Sequence, residues 1–552
     1  MKDADRSVIR ALSLFVLCVV FLSSCAAVPI PAQTSSTKES STPEDVAVIA
    51  PLPSVPAEHR VAYIPLDNRP VNQERVIYLA QSAGIELLLP NEALYRTALD
   101  NMAPNPDGST MGNREALLTW LQEVDSTCDY FIISLDQMTS GGLVSSRALT
   151  NPDLSLEYHI IDAILALGKE NTVYVFDTVM RLASTVNYQG CQLAEYNAFR
   201  SYGSVARELL LGEDLTVENI IAGYPYDSRG ERIFIDVSEE MQKYYHAARA
   251  RKLKIIDYLL QNDVGQLDFL YIGVDDSSPQ NTIQSNEIAY IKEQMGARGA
   301  LSAAADELGM CCLARLACEL YGKVSLNVTY YGPGEHQPAD AYDIGTLAQG
   351  VGAHLSALSV TKREGEDAMQ VLLLTRGSTQ AHREALLQQL LQNQKGNIPT
   401  VLIDVSEAPA LLGEQLFADQ SIDVCRLLGY SSWNTAANAL GIALSQGVAR
   451  HAYLQAVDIS SRQATNGFLR SIAFAYVKDI SYKCFAKNID ALYGNTNPCT
   501  PQFVADRLGE GSVLVSLNEY IAYPCVGVEF SNFRYPWDRT FEMTFDIQTK
   551  ES

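Results

Sequence analysis

Residues 61–72 have the sequence Val61-Ala62-Tyr63-Ile64-Pro65-Leu66-Asp67-Asn68-Arg69-Pro70-Val71-Asn72. An apolar run of strand length here passes directly into charged and amide side chains. Three later apolar runs end in the same way, at Asp136, Asp177 and Asp275. In parallel α/β folds, the active site collects at the carboxyl ends of the strands. These four ends therefore predict both a parallel sheet and the position of a site.

The rest of the chain repeats this alternation of strands and helices. Apolar runs that predict strands are Val61–Leu66, Ile85–Leu89, Phe131–Leu135, Val173–Phe176, Phe269–Val274, Val324–Thr329, Val371–Thr375 and Val401–Val405. Amphipathic patterns between them predict helices, among them Arg114–Val124, Met241–Gln261 and Ala381–Gln392. Continuous apolar strands separated by helices are typical of a parallel sheet that is covered on both faces.

We therefore predict an α/β fold for the mature chain. Residues 58–365 are predicted to form an N-terminal α/β domain that carries the candidate catalytic site, and residues 366–552 a C-terminal α/β region packed on it. A parallel-strand (β/α) barrel-like domain and a doubly wound sheet both fit the pattern. Periodicity alone does not choose between them.

The N-terminus has the pattern of a bacterial lipoprotein signal. Three basic residues within the first ten positions precede an uncharged apolar run over residues 11–22, and Leu22-Ser23-Ser24-Cys25 follows as a lipobox. This pattern predicts a signal peptide over residues 1–25 and a lipid anchor on Cys25. Residues 26–57 are rich in Ser, Thr, Pro and Ala and predict a disordered tether. We expect an extracytoplasmic protein, lipid-anchored to the bacterial cell membrane.

Composition excludes several classes of function. The formal net charge of −24 argues against nucleic acid as a partner, because a phosphate backbone needs a basic patch. The chain has no GxGxxG fingerprint, no Walker A motif and no G-x-S-x-G elbow, so we predict no nucleotide cofactor. Its histidines and cysteines lack zinc-ligand spacing, and no metal is predicted. Five cysteines in apolar surroundings are predicted buried thiols: Cys128, Cys311, Cys312, Cys318 and Cys425.

Residues 65–72 resemble the signature of a bacterial family known as domain of unknown function 4127. Later segments that resemble the same family are Ser134-Leu135-Asp136, Gly141-Gly142-Leu143, Ser146-Arg147, Met180-Arg181-Leu182, Asp275-Asp276, Ala305-Asp306-Glu307, Trp433-Asn434-Thr435 and Pro536-Trp537-Asp538-Arg539-Thr540-Phe541-Glu542. The resemblance runs from residue 65 to residue 542. It implies no established activity, so the function must be argued from the chemistry of the residues.

The adjacent carboxylates Asp275 and Asp276 are the predicted catalytic residues. Where a strand becomes a loop, both side chains can turn into one pocket, and two close carboxylates raise one another's pKa. One carboxyl then stays protonated as a general acid, as glycoside hydrolysis requires. The pair is similar to the Asp-Asp pair of acetamide-assisted hexosaminidases, which implies that Asp275 orients the substrate and Asp276 is the acid. The alternative is a surface loop or a cation site.

The predicted substrate-binding residues surround this pair. Asp67, Asn68 and Arg69 would clamp sugar hydroxyl groups, or would instead form an Asx-turn with a structural ion pair. Trp433 would lie under a sugar ring, although a place in the core fits it equally well. Asn434 would bind a hydroxyl group; alternatively, Asn434 or Thr435 would be the N-cap of the helix that follows. The other predicted ligands are Asp136, Arg147 and Arg181.

These residues predict a cell-envelope lipoprotein that acts as a glycoside hydrolase on N-acetylated or other glycans. The predicted partner is a glycan or another small polar substrate. A metal-assisted hydrolase, with Asp67, Asp136, Asp275 and Asp276 as oxygen ligands, is one alternative. A lipoprotein that binds glycans without catalysis is the other. For the single-site prediction, we expect Asp67, Asp136, Arg181 and Asp275 to line one cleft.

Overall fold

The computed structural model describes residues 57–365, 368–419, 421–486, 512–513, 526–539 and 541–551. The predicted signal peptide, Cys25 and the tether up to residue 56 lie outside these residues. None of the helices in the described part of the chain combines the length and the apolarity that a membrane crossing needs.

In chain order, the strands are β1 (His59–Ile64), β2 (Ile85–Leu88), β3 (Tyr130–Ser134), β4 (Thr172–Val179), β5 (Phe269–Val274), β6 (Gly299–Ala303), β7 (Ser325–Tyr331), β8 (Thr361–Lys362), β9 (Met369–Leu374), β10 (Thr400–Asp404), β11 (Leu427–Ser431), β12 (Ser512–Val513), β13 (Val526–Arg534) and β14 (Thr544–Glu551). The α-helices are α1 (Glu74–Ser82), α2 (Arg114–Val124), α3 (Leu135–Ser140), α4 (Leu143–Ser146), α5 (Ser155–Leu167), α6 (Leu193–Gly203), α7 (Val217–Gly223), α8 (Glu239–Asn262), α9 (Ser285–Met295), α10 (Leu308–Tyr321), α11 (Leu347–Ala357), α12 (Gln380–Lys395), α13 (Pro409–Ala418), α14 (Ala436–Ala456) and α15 (Arg462–Ala475). A π-helix over Tyr476–Ala486 continues α15, and a 3-10 turn over Pro536–Asp538 lies between β13 and β14.

Six parallel strands form the first sheet, in the order β2-β1-β3-β4-β5-β6. Alternate residues of its strands enter two different apolar cores. Tyr63 and Tyr271 pack in one core with α1 and α10, and Ile64 and Ile272 pack in the other with α2, α5 and α8. Because successive side chains of a strand point to opposite faces, the sheet is buried on both faces. This explains the continuous apolar runs, and the arrangement is doubly wound.

The second sheet is also parallel, with the order β11-β10-β9-β7-β8. Helix α14 is buried from Ala436 to Leu454, because it packs against α10 and against β10 and β11. A close approach at Gly447 makes this packing possible, since a Cβ there would lie 2.2 Å from Val401 Cγ2. The predicted boundary between residues 365 and 366 falls between β8 and β9 of this one sheet.

An antiparallel sheet, β12-β13-β14, contains the last described residues. Its hairpin packs on α15, where the rings of Phe545 and Phe474 lie 4.9 Å apart. The hydroxyl group of Thr544 donates a hydrogen bond of 2.7 Å to Glu74 at the start of α1. The hairpin thus brings residues near the C-terminus onto the first α/β layer.

The predicted α/β fold is confirmed, and each of the eight predicted strands is found. The alternative of a closed barrel is wrong for the described residues, since each parallel sheet stays open and the first has β2 and β6 as its edges. Of the fourteen described strands, the predictions missed six: β6 and β11, which contain glycine and serine, the two-residue β8, and the antiparallel β12, β13 and β14. The five predicted buried thiols are confirmed as buried and free.

Candidate functional site

A cleft of about 290 Å³ opens where the chain leaves β5 and β6. Asp275 and Asp276 follow β5 directly, and Asp306 follows β6 after two alanines. Trp537 and Glu542, from the loop between β13 and β14, complete the wall. Neighbouring parallel strands thus direct their carboxyl ends to one cleft, the usual ligand-binding position of open α/β sheets.

Asp275 is buried at the base of the cleft and forms an ion pair with Arg147. The Nη1 atom of Arg147 also donates to Thr185 Oγ1 at 3.0 Å. The backbone carbonyl of Asp275 accepts a hydrogen bond of 3.0 Å from Gln284 Nε2. Burial raises the pKa of the Asp275 carboxyl group, and the positive charge of Arg147 lowers it by a smaller amount. The residue is therefore held on several sides and fixes Arg147 in the cleft wall.

Asp276 is the more accessible member of the predicted catalytic pair. Its side chain is 26% exposed, against 6% for Asp275. A φ angle of +29°, in the region that favours glycine, lets the chain turn so that both side chains line the same cleft. Asp276 Oδ2 accepts a hydrogen bond of 3.1 Å from Arg181 Nη1, and Arg181 Nη2 donates to Ser184 O at 2.7 Å. Each carboxylate of the pair thus has its own arginine.

Arg69 lines the cleft between two carboxylates. Its Nη2 atom donates to Asp67 at 2.7 Å and to Asp306 at 2.5 Å. Asp67 is fully buried and also accepts hydrogen bonds from the backbone N–H of Arg69 and from Asn72 Nδ2. The Asx-turn alternative is therefore the one that the structure supports for Asp67. This carboxylate lies behind Arg69 and not in the cleft lining, which corrects its predicted contact with substrate.

The pKa of the Asp306 carboxyl group is raised well above its ordinary value. Burial raises the pKa of Asp306 to about 7, and the negative charges of Asp67 and Glu542 act in the same direction. Together these effects outweigh the positive charge of Arg69. Burial thus favours the protonated form of Asp306 in the cleft lining, against the hydrogen bonds that Arg69 donates to both of its oxygens.

Glu542 lines the same cleft with the opposite shift. Burial alone would raise its pKa, but the positive charges of Lys478 and Arg69 lower the pKa of Glu542 below its ordinary value. Its Oε2 atom accepts a hydrogen bond of 3.0 Å from Lys478 Nζ. Its Oε1 atom is buried and has no hydrogen-bond partner among the described residues. Glu542 thus has a carboxylate that favours the ionised form, with one buried oxygen that lacks a hydrogen-bond partner among the described residues.

Asn434 lines the cleft at the entrance to α14. Its Nδ2 atom donates to Asn438 Oδ1 at 2.8 Å. Thr435 is the N-cap of α14, and its hydroxyl group accepts from the backbone N–H of Asn438. The predicted N-cap is therefore confirmed for Thr435, and it holds Asn434 at the edge of the cleft.

Trp433 does not line the cleft, which corrects its predicted place under a sugar ring. Its side chain is fully buried, with the guanidinium group of Arg75 5.8 Å from the ring and Phe541 packed edge-on at 6.3 Å. The aromatic residues that line the cleft are Tyr196, Tyr342, Phe541 and the half-buried Trp537. The guanidinium group of Arg69 lies 5.0 Å from the Trp537 ring.

Two further predicted ligands lie outside the cleft lining. Asn68 accepts a hydrogen bond of 2.9 Å from the indole N–H of Trp537 and donates to Glu92 at 3.0 Å, so it supports Trp537 from behind. Asp136 is fully buried at the start of α3 and forms an ion pair with Lys252. Their predicted contacts with substrate are corrected, because both side chains bind other parts of the protein.

No group of three or more His, Cys, Asp or Glu side chains that could hold a metal ion is found in the described ranges. The carboxylates proposed as oxygen ligands in the metal alternative are instead bound by cations. Arg69 binds Asp67, Lys252 binds Asp136, and arginines bind Asp275 and Asp276. Carboxylates that are already neutralised in this way form a poor donor set for a hard cation.

The family model of DUF4127, described as a protein of unknown function, matches residues 61–546. The chain belongs to the DUF4127 family. Comparison with curated proteins gives no match. The matched segment begins within β1 and ends within β14, so it contains both parallel sheets and each cleft residue described above. The cleft is thus built entirely from the family domain.

The cleft residues that sequence reasoning did not predict include Asp306, Trp537, Arg539 and Glu542. Asp306 follows a strand, but that strand consists of Gly299-Ala300-Leu301-Ser302-Ala303 and lacks a β-branched run. The other three depend on the fold of the last hairpin. The segments that resemble the family contained all four, and this was the signal that could have identified them.

Proposed function

We propose that this member of the DUF4127 family is a glycoside hydrolase of the cell envelope. Asp306 is its general acid, and Glu542 is the carboxylate that acts as base or nucleophile. One observation carries the proposal: two carboxyl groups in one cleft have their pKa values shifted in opposite directions, to about 7 for Asp306 and below the ordinary value for Glu542. Such a pair divides the acid and base roles between two side chains.

Glycoside hydrolysis needs this division of roles. One carboxylic acid protonates the leaving oxygen, while an ionised carboxylate activates water or attacks the sugar. Asp306 keeps its proton near neutral pH, where it can donate it. Glu542 stays ionised beside Lys478, and its Oε1 atom has no other hydrogen-bond partner in the described part of the chain.

The rest of the cleft fits a sugar substrate. Trp537 offers an aromatic face, and Asn434 offers amide groups that suit hydroxyl groups. In this proposal, Asp275 and Asp276 are positioning residues, because they hold Arg147 and Arg181 in the wall. The lipobox at Cys25 supports a place at the outer face of the cell membrane, where envelope or environmental glycans are available.

The test compares variants on glycosides with poor and good leaving groups. Asp306→Asn should lower turnover of oligosaccharides and unactivated glycosides by about 10²- to 10⁴-fold, the usual contribution of a general acid. It should spare much of the activity on dinitrophenyl glycosides, whose leaving groups need no proton. Glu542→Gln should impair both classes. The panel is aryl hexosides and N-acetylhexosaminides of both anomers, assayed with and without chelator.

The wild-type enzyme should also show a basic limb in its pH profile. Because Asp306 must be protonated, kcat/KM for unactivated glycosides should fall as the pH rises through about 7. This limb should disappear from the residual activity of Asp306→Asn. Initial rates between pH 5 and pH 9 would measure it.

Asp404→Asn is the matched control. Asp404 also ends a strand, is buried and has a pKa raised by burial to about 6, but it does not line this cleft. Its variant should keep wild-type kinetics. If Asp276→Asn shows the selective loss on poor leaving groups and Asp306→Asn does not, the acid is Asp276. Inactivation by chelator would favour the metal-assisted alternative, and no turnover across the panel would favour glycan binding without catalysis.

A further inference from the structure

Four arginines line the cleft, and three of them are ion-paired. Arg69 pairs with Asp67 and Asp306, Arg147 with Asp275, and Arg181 with Asp276. The fourth is Arg539. Within the described residues, its guanidinium group forms no hydrogen bond and no ion pair. Among the residues that the structure describes, the cleft therefore contains one cation without a protein counter-charge.

The surroundings of Arg539 increase the cost of this unpaired charge. The residue is half-buried, and the charges that act most strongly on it are the guanidinium groups of Arg181 and Arg69. Burial and these like charges lower the pKa of Arg539. Three guanidinium groups thus line one cleft, and in the described part of the chain only Arg69 and Arg181 of the three have carboxylate partners. An anion in this region would relieve the repulsion and form charge-assisted hydrogen bonds.

The position of Arg539 suggests what carries that anion. Trp537 lies two residues earlier in the same turn, and both side chains line the cleft. A sugar ring that packs on the indole would bring a substituent of the ring within reach of the guanidinium group. Guanidinium groups bind planar or tetrahedral oxyanions through paired N–H donors.

We infer that Arg539, with the positive charges of Arg181 and Arg69, forms an anion-binding subsite, and that the substrate is a sugar bearing a carboxylate or sulfate group. That the bound sugar is a substrate rests on the proposed glycosidase function. The subsite itself rests only on the unpaired arginine and its neighbours. The formal net charge of −24 makes a local cation necessary for such a ligand, because the rest of the protein repels anions.

Direct binding of sugars to the full chain tests the inference without any turnover. Isothermal titration would compare D-glucuronate, D-galacturonate and the 6-sulfates of glucose and galactose with the neutral sugars glucose and galactose. We expect at least one anionic sugar to bind about tenfold or more tightly than its neutral counterpart. The carboxylate and sulfate arms distinguish the two sources of the charge.

Variants then assign the effect to Arg539. Arg539→Gln should weaken the anionic sugar by about 10- to 100-fold and leave the neutral sugar unchanged, because a charge-assisted contact is lost. Arg539→Lys should recover part of the affinity. Arg534→Gln is the matched control, since Arg534 lies on β13 with its guanidinium paired to Asp546 at the surface and should keep full affinity. Thermal melting of each variant checks that it is folded.

The outcomes separate this inference from the proposed function. Equal binding of neutral and anionic sugars, or unchanged binding in Arg539→Gln, overturns the subsite even if the enzyme hydrolyses neutral aryl glycosides. Failure of every anionic sugar to bind also overturns it. Tight binding that Arg539→Gln abolishes supports the subsite even if no glycoside is turned over, and in that case only the proposed function fails.

Discussion

Replacing Lys252 with Met should destabilise the protein although the variant side chain keeps nearly the same length. Lys252 lies in α8, and its Nζ atom donates to Asp136 and, at 2.6 Å, to Asp177 Oδ1. The Lys252 side chain is 6% exposed, and the two carboxylates are at most 1% exposed. Methionine would leave both carboxyl groups buried beside each other without a cation.

The cost follows from the charges that remain. Burial and the neighbouring Asp136 raise the pKa of Asp177 to about 8, so at pH 7 the cluster holds one proton and one net carboxylate charge opposite Lys252. Removing one partner of a buried ion pair typically costs about 3–5 kcal/mol. For a chain of this length, about 1 kcal/mol corresponds to about 1 °C in Tm. We therefore expect Lys252→Met to lower Tm by about 3–5 °C in differential scanning calorimetry at pH 7.

A surface pair provides the control for this measurement. Arg60 and Glu86 form an ion pair of 2.9 Å whose side chains are about half exposed, and Arg60→Gln should change Tm by at most about 1 °C. A Tm of Lys252→Met within 1 °C of the wild type would refute the reasoning that this buried cluster depends on its cation. It would also reopen a substrate-binding role for Asp136.

Three further predictions can be checked with single variants. Cys25→Ser should abolish incorporation of a fatty-acid probe, and unchanged labelling would contradict the lipid anchor. His246→Gln should make the free energy of unfolding less dependent on pH in the acid range. Burial and Arg249 lower the pKa of His246 to about 4. The contribution of His246 to stability, at most about 3 kcal/mol, is therefore present above pH 6.5 and is lost as the pH falls to 4. A parallel decline of Tm between pH 7 and pH 4 in both proteins would disprove this. Trp433→Ala should lower the free energy of unfolding by about 3–5 kcal/mol, whereas Trp537→Ala should chiefly raise KM. The reverse pattern would mean that the sugar ring packs on Trp433.

The strands could be predicted because most of them are buried on both faces. Every residue of β5 is buried, so its sequence Phe269-Leu270-Tyr271-Ile272-Gly273-Val274 is apolar without interruption. Strand β6 escaped prediction because three of its five residues are glycine or alanine, which have low strand propensity. The choice between barrel and open sheet could not be predicted, since both produce the same alternation of strands and helices. It depends on whether β2 and β6 pair, and that is a contact between distant edges.

The site could be predicted in part, by the rule that strand ends carry function. That rule correctly placed Asp275 and Arg181 in one cleft, but it also selected Asp136, whose side chain turns to Lys252, 116 residues away in α8. The position of a residue along the chain does not state which way its side chain points at the end of a strand. The partner that decides the direction lies on another element, and a single sequence does not identify it.

The paired and unpaired charged groups of the cleft come from different parts of the chain. The strand ends of the first sheet supply Asp275 and Asp276, and the loops beside them supply the arginines that neutralise this pair. A cleft built only from these parts would be electrically balanced and would have no free acid or base. The turn between β13 and β14 and its flanks add Glu542, with an oxygen that lacks a partner in the described chain, and Arg539, with an unpaired charge. Burial is the main cause of the raised pKa of Asp306, and the charge of Glu542 acts in the same direction, so the last hairpin adds to the pKa shift of a residue that follows β6. The first sheet therefore positions the cleft, and the hairpin adds the two groups on which the proposed reaction and the proposed anion subsite rest.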